Sequence, residues 1–314
     1  MLRTRRRLLA GLQLAFLAAV LAFLAYAFRD AWAEAWPRLR HASLLDLGIA
    51  GTVLAAYYLL FVVGWQWILR ALGISVSYRA ALQSEMASML AKYVPGGVWT
   101  PAARIVWLRR AAGVTDTSVV LSSILLEAGL SAVAGVLVFL VGLAIIGGAD
   151  APLLPLLAFA LVVGVLLHPP VFRAVAARLF RPFGAPPPPL LRYRTIAGLL
   201  AFYSASWVVG GVALLFLLRS VDAHPGPETI VYLGGVGAVG AIVAVLSILA
   251  PSGLGVREAS MYGLMLAVAP TGAAFGASVL NRVAITVVEA LLLLAAAVGR
   301  PLRAERREPA PDLP

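Results

Sequence analysis

The sequence contains no cysteine, which excludes disulfides and thiolate metal sites and leaves the redox compartment undetermined. Its three histidines, His41, His168 and His224, are scattered without ligand spacing, so no metal site is expected. Charge is scarce: 12% of residues are Asp, Glu, Lys or Arg, against about 25% in soluble domains. No alternating ten-residue pattern of the kind a transmembrane barrel needs is present. Nor is there a nucleophile–base–acid set, a Walker loop, or a loop long enough to house a soluble catalytic domain. Neither an enzyme nor a cofactor is therefore expected.

What fills the chain is apolar. Hydrophobic residues make up 62% of it, and the mean hydropathy is +0.95. Several windows exceed the roughly 18 consecutive apolar residues of a spanning helix. In lipid the backbone must satisfy its own hydrogen bonds, so the expected fold is an all-α polytopic membrane protein. Full spans are predicted at 8–28, 44–70, 118–147, 151–168, 195–219 and 272–298. The basic, apolar N-terminus has features of a signal peptide. Leu8 to Phe28 is about twice the length of an ordinary signal core, however, and reads better as an uncleaved first helix.

The net charge of +11 does not point to nucleic acid, because the basic residues cluster beside hydrophobic runs. Arg3 to Arg7, Arg70 and Arg79, Arg109-Arg110, the loop 169–194 and the tail from Arg300 hold 17 of the 25 basic residues. Excess Lys and Arg marks the cytoplasmic side, so both termini are expected there, in the bacterial or archaeal plasma membrane. Arg29, Arg38, Arg40 and Arg219 fall outside. The same clusters are expected to contact anionic membrane lipids.

Two segments resist assignment as simple spans. Residues 80–113 are interrupted by Pro95-Gly96-Gly97, and 228–269 by Pro251-Ser252-Gly253. The charge pattern makes the first a re-entrant hairpin from the cytoplasmic side and the second one from outside, in an arrangement compatible with inverted pseudo-symmetry. Thr229 to Ala250 is long enough to cross completely, so eight full spans is the alternative. Beyond them, Val171, Val175 and Leu179 stand at helical spacing among Arg173, Arg178 and Arg181, as on a surface helix, although a plain basic topology loop also accounts for them. Pro186 to Pro189 should form a stiff polyproline connection.

"GGVGAVG" at Gly234 to Gly240 contains a G-x-G-x-x-G match. No strand precedes it and no ribose-binding acid follows, so small residues that let two helices approach closely explain it better. Gly272 and Gly276 read the same way.

Ionisable residues at membrane depth are Glu85, Lys92, Arg104, Glu127, Arg257, Glu258, Arg282 and Glu289. Each costs at least about 2.5–3.5 kcal/mol at the centre of a helix unless it is paired or lines a polar cavity. Ion pairs that merely hold helices together are one reading. The other starts from the coincidence of Lys92, Arg104, Arg257 and Glu258 with the helix breaks. Glycine permits the turned backbone of a re-entrant tip, and the first amides of each new half-helix attract an anion. Arginine suits phosphate through paired hydrogen bonds. Glu85, Glu127, Arg282 and Glu289 would then be counter-ions or coupling groups.

"AKYVPGGVWTPAAR" and "APSGLGVREA" resemble the paired signatures of the lysylphosphatidylglycerol synthase transmembrane region family. These are flippase-like proteins that include the membrane half of the multiple peptide resistance factor. The resemblance covers nearly the whole chain, with Thr100-Pro101 departing from the pattern. It implies lipid translocation, with the substrate site at Lys92, Tyr93, Pro95, Gly96, Gly97, Trp99 and Arg104 in the first motif. The second motif contributes Pro251, Gly253, Gly255, Arg257 and Glu258. No aminoacyltransferase domain follows the membrane region in this sequence, so synthesis of the aminoacylated lipid is not expected.

The expected protein is thus a single flippase-like domain over 1–300 with a short tail at 301–314. Its partner is a lipid with an anionic headgroup, and its glycine-rich faces permit a homodimer. The alternatives are a non-transporting lipid-binding scaffold for an envelope enzyme and an ion-coupled carrier of organic anions.

Overall fold

A computed structural model describes residues 29–89, 91, 99–148, 153–183, 187–247 and 253–298. The predicted first span at 8–28 and the tail at 301–314 lie outside the described residues. Among the described residues the chain is helical, with no strand. In order, the helices are α1 (Arg29–Arg40), α2 (Leu44–Ala71), α3 (Tyr78–Met89), α4 (Trp99–Ala112), α5 (Thr117–Ile145), α6 (Leu153–Leu167), α7 (Pro169–Phe180), α8 (Tyr193–Ser220), α9 (Ile230–Leu246), α10 (Val256–Met265) and α11 (Thr271–Val298).

Helices α2, α5, α8 and α11 are 28 or 29 residues long, about 42 Å at 1.5 Å per residue and more than the hydrocarbon core requires. Local chemistry sets where two of them start. The Ser43 hydroxyl accepts the Asp46 N–H at 3.3 Å, and the Asp116 carboxylate accepts the Val119 N–H at 3.1 Å. With its preceding turn, α9 forms a fifth helix long and apolar enough to cross, over Pro227–Leu246. The protein is a multi-pass α-helical membrane protein.

The predicted span at 151–168 falls on α6, which together with α7 forms one bent candidate span. α6 has 15 residues, about 22 Å, and the chain then bends by 76° into α7. The sequence dictates the break at His168-Pro169-Pro170. A residue before proline is pushed out of the helical region, and His168 has ψ 123°. Pro169 then opens α7, where its missing N–H leaves no partner unsatisfied. The segment read as either a surface helix or a plain loop is therefore a helix, and Val175 and Leu179 are exposed along it.

Helix α9 lies wedged between α5 and α8, and its glycines make this close approach fit. A side chain at Gly235 would meet the Phe139 backbone, one at Gly142 the Tyr232 backbone, and one at Gly211 the Ile230 carbonyl. The glycine-rich run is thus a packing surface. Gly272 serves α11 in the same way: a Cβ there would lie 2.8 Å from the Glu34 carbonyl oxygen of α1. Helix α1 was not anticipated. It packs Ala31 and Ala35 on α11, with Trp32 edge-on to Phe275.

Two pairs of helices form hairpins entering from opposite ends. Leu69 at the end of α2, Val76 just after it, Leu108 of α4, Val120 at the start of α5 and Ala296 of α11 share one buried cluster, so α3 begins and α4 ends at that end of the bundle. Their 12 and 14 residues give about 18 and 21 Å, too short to cross. At the other end, Ala50, Leu143, Leu218, Tyr232, Met265 and Ala273 share a second cluster, so α9 begins and α10 ends there. The two hairpins differ. α10 has ten residues, about 15 Å, which rules out two further full spans, whereas α9 is of full length.

Candidate functional site

The first hairpin contributes a buried three-membered charge cluster. Arg104 Nη2 lies 3.2 Å from Glu85 Oε1 of α3, and its Nη1 is ion-paired and hydrogen-bonded to Glu127 Oε2 of α5. All three side chains are less than a tenth exposed. The guanidinium stacks over the Trp65 ring of α2, 4.5 Å from its centroid, and the Trp65 indole N–H donates to Ser123 Oγ at 3.0 Å. A stacked, planar guanidinium with several donors can bridge two carboxylates, which a lysine ammonium would do poorly. The immediate partners of Arg104 are therefore carboxylates, where the sequence led us to expect a phosphate. Its charge is already more than balanced.

The second hairpin places its charges differently. Gly253 has φ 63° and Gly255 φ 82°, backbone that disfavours any side chain with a Cβ. This turn opens α10, and the Gly255 N–H donates to Glu258 Oε2 at 2.7 Å, so Glu258 caps its own helix. Glu258 Oε1 lies 3.6 Å from Arg282 Nη1 of α11. Arg257, one residue earlier, points the other way. Among the described residues it forms no ion pair or hydrogen bond, and its Nε is buried without a partner.

Arg257 faces a cavity of about 410 Å³ between the hairpins, lined also by Glu85 and Met89 of α3. The first and second hairpins therefore meet at one space. Tyr57 of α2 lies between them, within electrostatic reach of Arg257, Glu85 and Glu127. The remaining wall is largely apolar, with Phe61, Phe159, Val163, Leu214 and Ile285. At one side it reaches Val245 and Leu246, the last two residues of α9, which are 80% and 60% exposed.

Of the residues expected at the site, Lys92, Tyr93, Pro95, Gly96, Gly97 and Pro251 lie outside the described residues. Trp99 opens α4 half-exposed. Pro101 falls in the first turn of α4, where a missing N–H is tolerated. Glu127 pairs with Arg104 and Glu258 with Arg282, so Glu258 is not the counter-ion of Arg257. Glu289 accepts a 2.8 Å hydrogen bond from the Tyr58 hydroxyl. Arg282 and Glu289, although on one helix, thus bond to different elements.

Sequence reasoning missed Tyr57, Tyr58, Trp207 and Asn281, all on the cavity wall. The signal was present: tyrosine and tryptophan normally sit at the two interfaces of a span, and a mid-span pair such as Tyr57-Tyr58 is out of place unless it faces something polar.

Two hairpins that place a buried charge cluster and Arg257 on one cavity belong here to a multi-pass α-helical membrane protein. The family model for the lysylphosphatidylglycerol synthase TM region matches residues 10–292, and the chain belongs to that family. No curated protein matches the sequence.

Proposed function

We propose that the protein is a flippase-like transporter that moves an anionic phospholipid or lipid-linked headgroup between leaflets. The observation that carries this reading is Arg257. It is a cation with no ion pair among the described residues, on the wall of a largely apolar cavity. A cation left in that setting is costly unless an anion joins it, and guanidinium favours phosphate oxygens. The size fits a headgroup, being within the roughly 300–1,000 Å³ of ordinary ligand sites. Acyl chains would remain outside.

The exposed Val245 and Leu246 favour a lipid over a soluble organic anion, because they give the cavity an apolar exit. Family membership supports a membrane-lipid role. In this reading the chain carries out no covalent chemistry, sits in the plasma membrane with both termini cytoplasmic, and contacts anionic lipids through the basic face of α7. The glycine-rich faces are consumed within the bundle, which weakens the case for a homodimer.

The test is reconstitution. Purified protein in proteoliposomes should move a labelled anionic phospholipid, and Arg257→Ala should abolish the movement while the protein stays folded. If the wild type alone moves no lipid, the scaffold reading replaces this one.

A further inference from the structure

Arg104 brings one positive charge into a buried site that holds two carboxylates. With all three ionised the cluster carries a net charge of −1, and an uncompensated buried charge costs several kcal/mol. Two acceptor atoms there, Glu85 Oε2 and Glu127 Oε1, are buried and have no hydrogen-bond partner among the described residues, in side chains whose residues are only 2% and 6% exposed. A carboxylate oxygen left bare in this way is where a proton relieves both the charge and the unmet acceptor.

The neighbours decide when the proton is needed. The groups facing Glu85 are Arg104 from α4, Glu127 from α5, Tyr57 from α2, Tyr203 from α8 and Tyr78 from the start of α3. From α11, Glu289 is turned to Tyr58. Among the described residues, the remaining cation on the cavity that Glu85 lines is Arg257. With the cavity empty, Arg257 balances the excess negative charge across the space. An anion bound to Arg257 removes that balance.

We propose that the Glu85–Arg104–Glu127 cluster is a proton-binding site, and that it takes up one proton when an anionic headgroup binds Arg257. The inference rests on the proposed lipid reading and adds its coupling ion. The balance is simple: one anion and one proton enter together, and the site's total charge is unchanged. Thermodynamic reciprocity then requires that acid strengthens lipid binding by as much as lipid strengthens proton binding.

The experiment uses the full chain in detergent with short-chain phosphatidylglycerol, and with short-chain phosphatidylcholine as the neutral control. Lowering the pH should raise phosphatidylglycerol affinity by roughly 5- to 150-fold overall, the usual range of coupling between sites. A protonated-carboxyl infrared band should appear with phosphatidylglycerol and not with phosphatidylcholine. In Glu85→Gln, and equally in Glu127→Gln, the pH dependence should flatten and the band should be missing, because one carboxylate already neutralises Arg104.

A second arm needs no lipid. Arg257→Ala removes the balancing cation, so the band should be present with the cavity empty, and absent when Glu85→Gln is added. Failure of phosphatidylglycerol to bind the wild type would sink the lipid reading alone, and the Arg257→Ala arm would still decide the proton site. Absence of the band there, affinity independent of pH, or dependence on sodium in place of pH overturns the proposal.

Discussion

Glu258 pairs with Arg282 across α10 and α11 at 3.6 Å and not with Arg257, its neighbour in sequence. The consequence is a division of labour between two arginines on one hairpin and its partner helix. Arg282 ties helices together, whereas Arg257 is left facing the cavity.

Substitution separates the two. Arg257→Ala should weaken anionic-lipid binding by about 1.5–3 kcal/mol, the range of a hydrogen bond to a charged group and roughly a tenfold to hundredfold rise in Kd. Its melting temperature should stay close to wild type. Arg282→Ala should do the opposite, lowering the melting temperature with a smaller effect on lipid affinity. Thermal unfolding and lipid titration on both variants check the pair.

Arg104 is a stability residue first. Truncating it leaves Glu85 and Glu127 buried with no paired cation among the described residues, and breaking such a buried pair typically costs about 3–5 kcal/mol. Arg104→Ala should therefore unfold far more readily than Arg257→Ala. Replacing all three members by neutral residues of similar volume, as in Glu85→Gln, Arg104→Met and Glu127→Gln together, should recover most of the loss. Denaturation of the single and triple variants in detergent measures the difference. If Arg104→Ala is as stable as wild type, the buried cluster is not what holds α3, α4 and α5 together.

Much of this arrangement could be read from residue order, and the reasons are physical. Long apolar runs leave the chain little choice but spanning helices, so α2, α5, α8 and α11 fell close to their predicted bounds. Pro and Gly at the two breaks gave the hairpins. Which charges meet was not legible, because pairing depends on packing over separations such as that from Glu85 to Glu127. Nothing in "GLGVREA" says that Glu258 turns back to cap Gly255 while Arg257 turns inward. Helix α1 escaped because it is amphipathic and too polar for a hydropathy window; only its contact with α11 explains it. The end of α6 was legible, since the predicted span stops at His168 before Pro169-Pro170, but the 76° bend into a further helix was not.

The glycines of α9 and its neighbours offer a prediction on packing alone. Gly235→Leu and Gly142→Leu drive a side chain into the backbone of a facing helix. Overpacking costs typically 1–3 kcal/mol and more where backbone must move, so both variants should be strongly destabilised, by about 3 kcal/mol or more. Gly51→Ala on α2 is the control. Nothing lies within 4 Å of a Cβ at that position, and alanine is a better helix former by about 1 kcal/mol, so this variant should be as stable as wild type or more so. A uniform loss across all three would mean that the glycines act through backbone flexibility and not through close approach.

The turn before α10 links backbone conformation to the cavity. Gly253 and Gly255 both adopt positive φ, where a Cβ costs roughly 1–2 kcal/mol per residue. Gly255→Ala should destabilise by about that amount. It should also tilt the start of α10, which carries Arg257 on its second residue, so lipid affinity should fall together with stability. Gly263→Ala, in the same helix with open space around its Cβ, should leave lipid affinity unchanged and stability unchanged or slightly raised. Adding Glu258→Gln to Gly255→Ala tests the mechanism further. Since the Gly255 N–H to Glu258 Oε2 bond of 2.7 Å holds the turn, the second change should cost less in the variant than in wild type if Gly255→Ala has already loosened that bond. Equal costs in the two backgrounds would show that the turn keeps its shape without glycine, and that Arg257 is positioned by α10 packing on α9 and α11 alone.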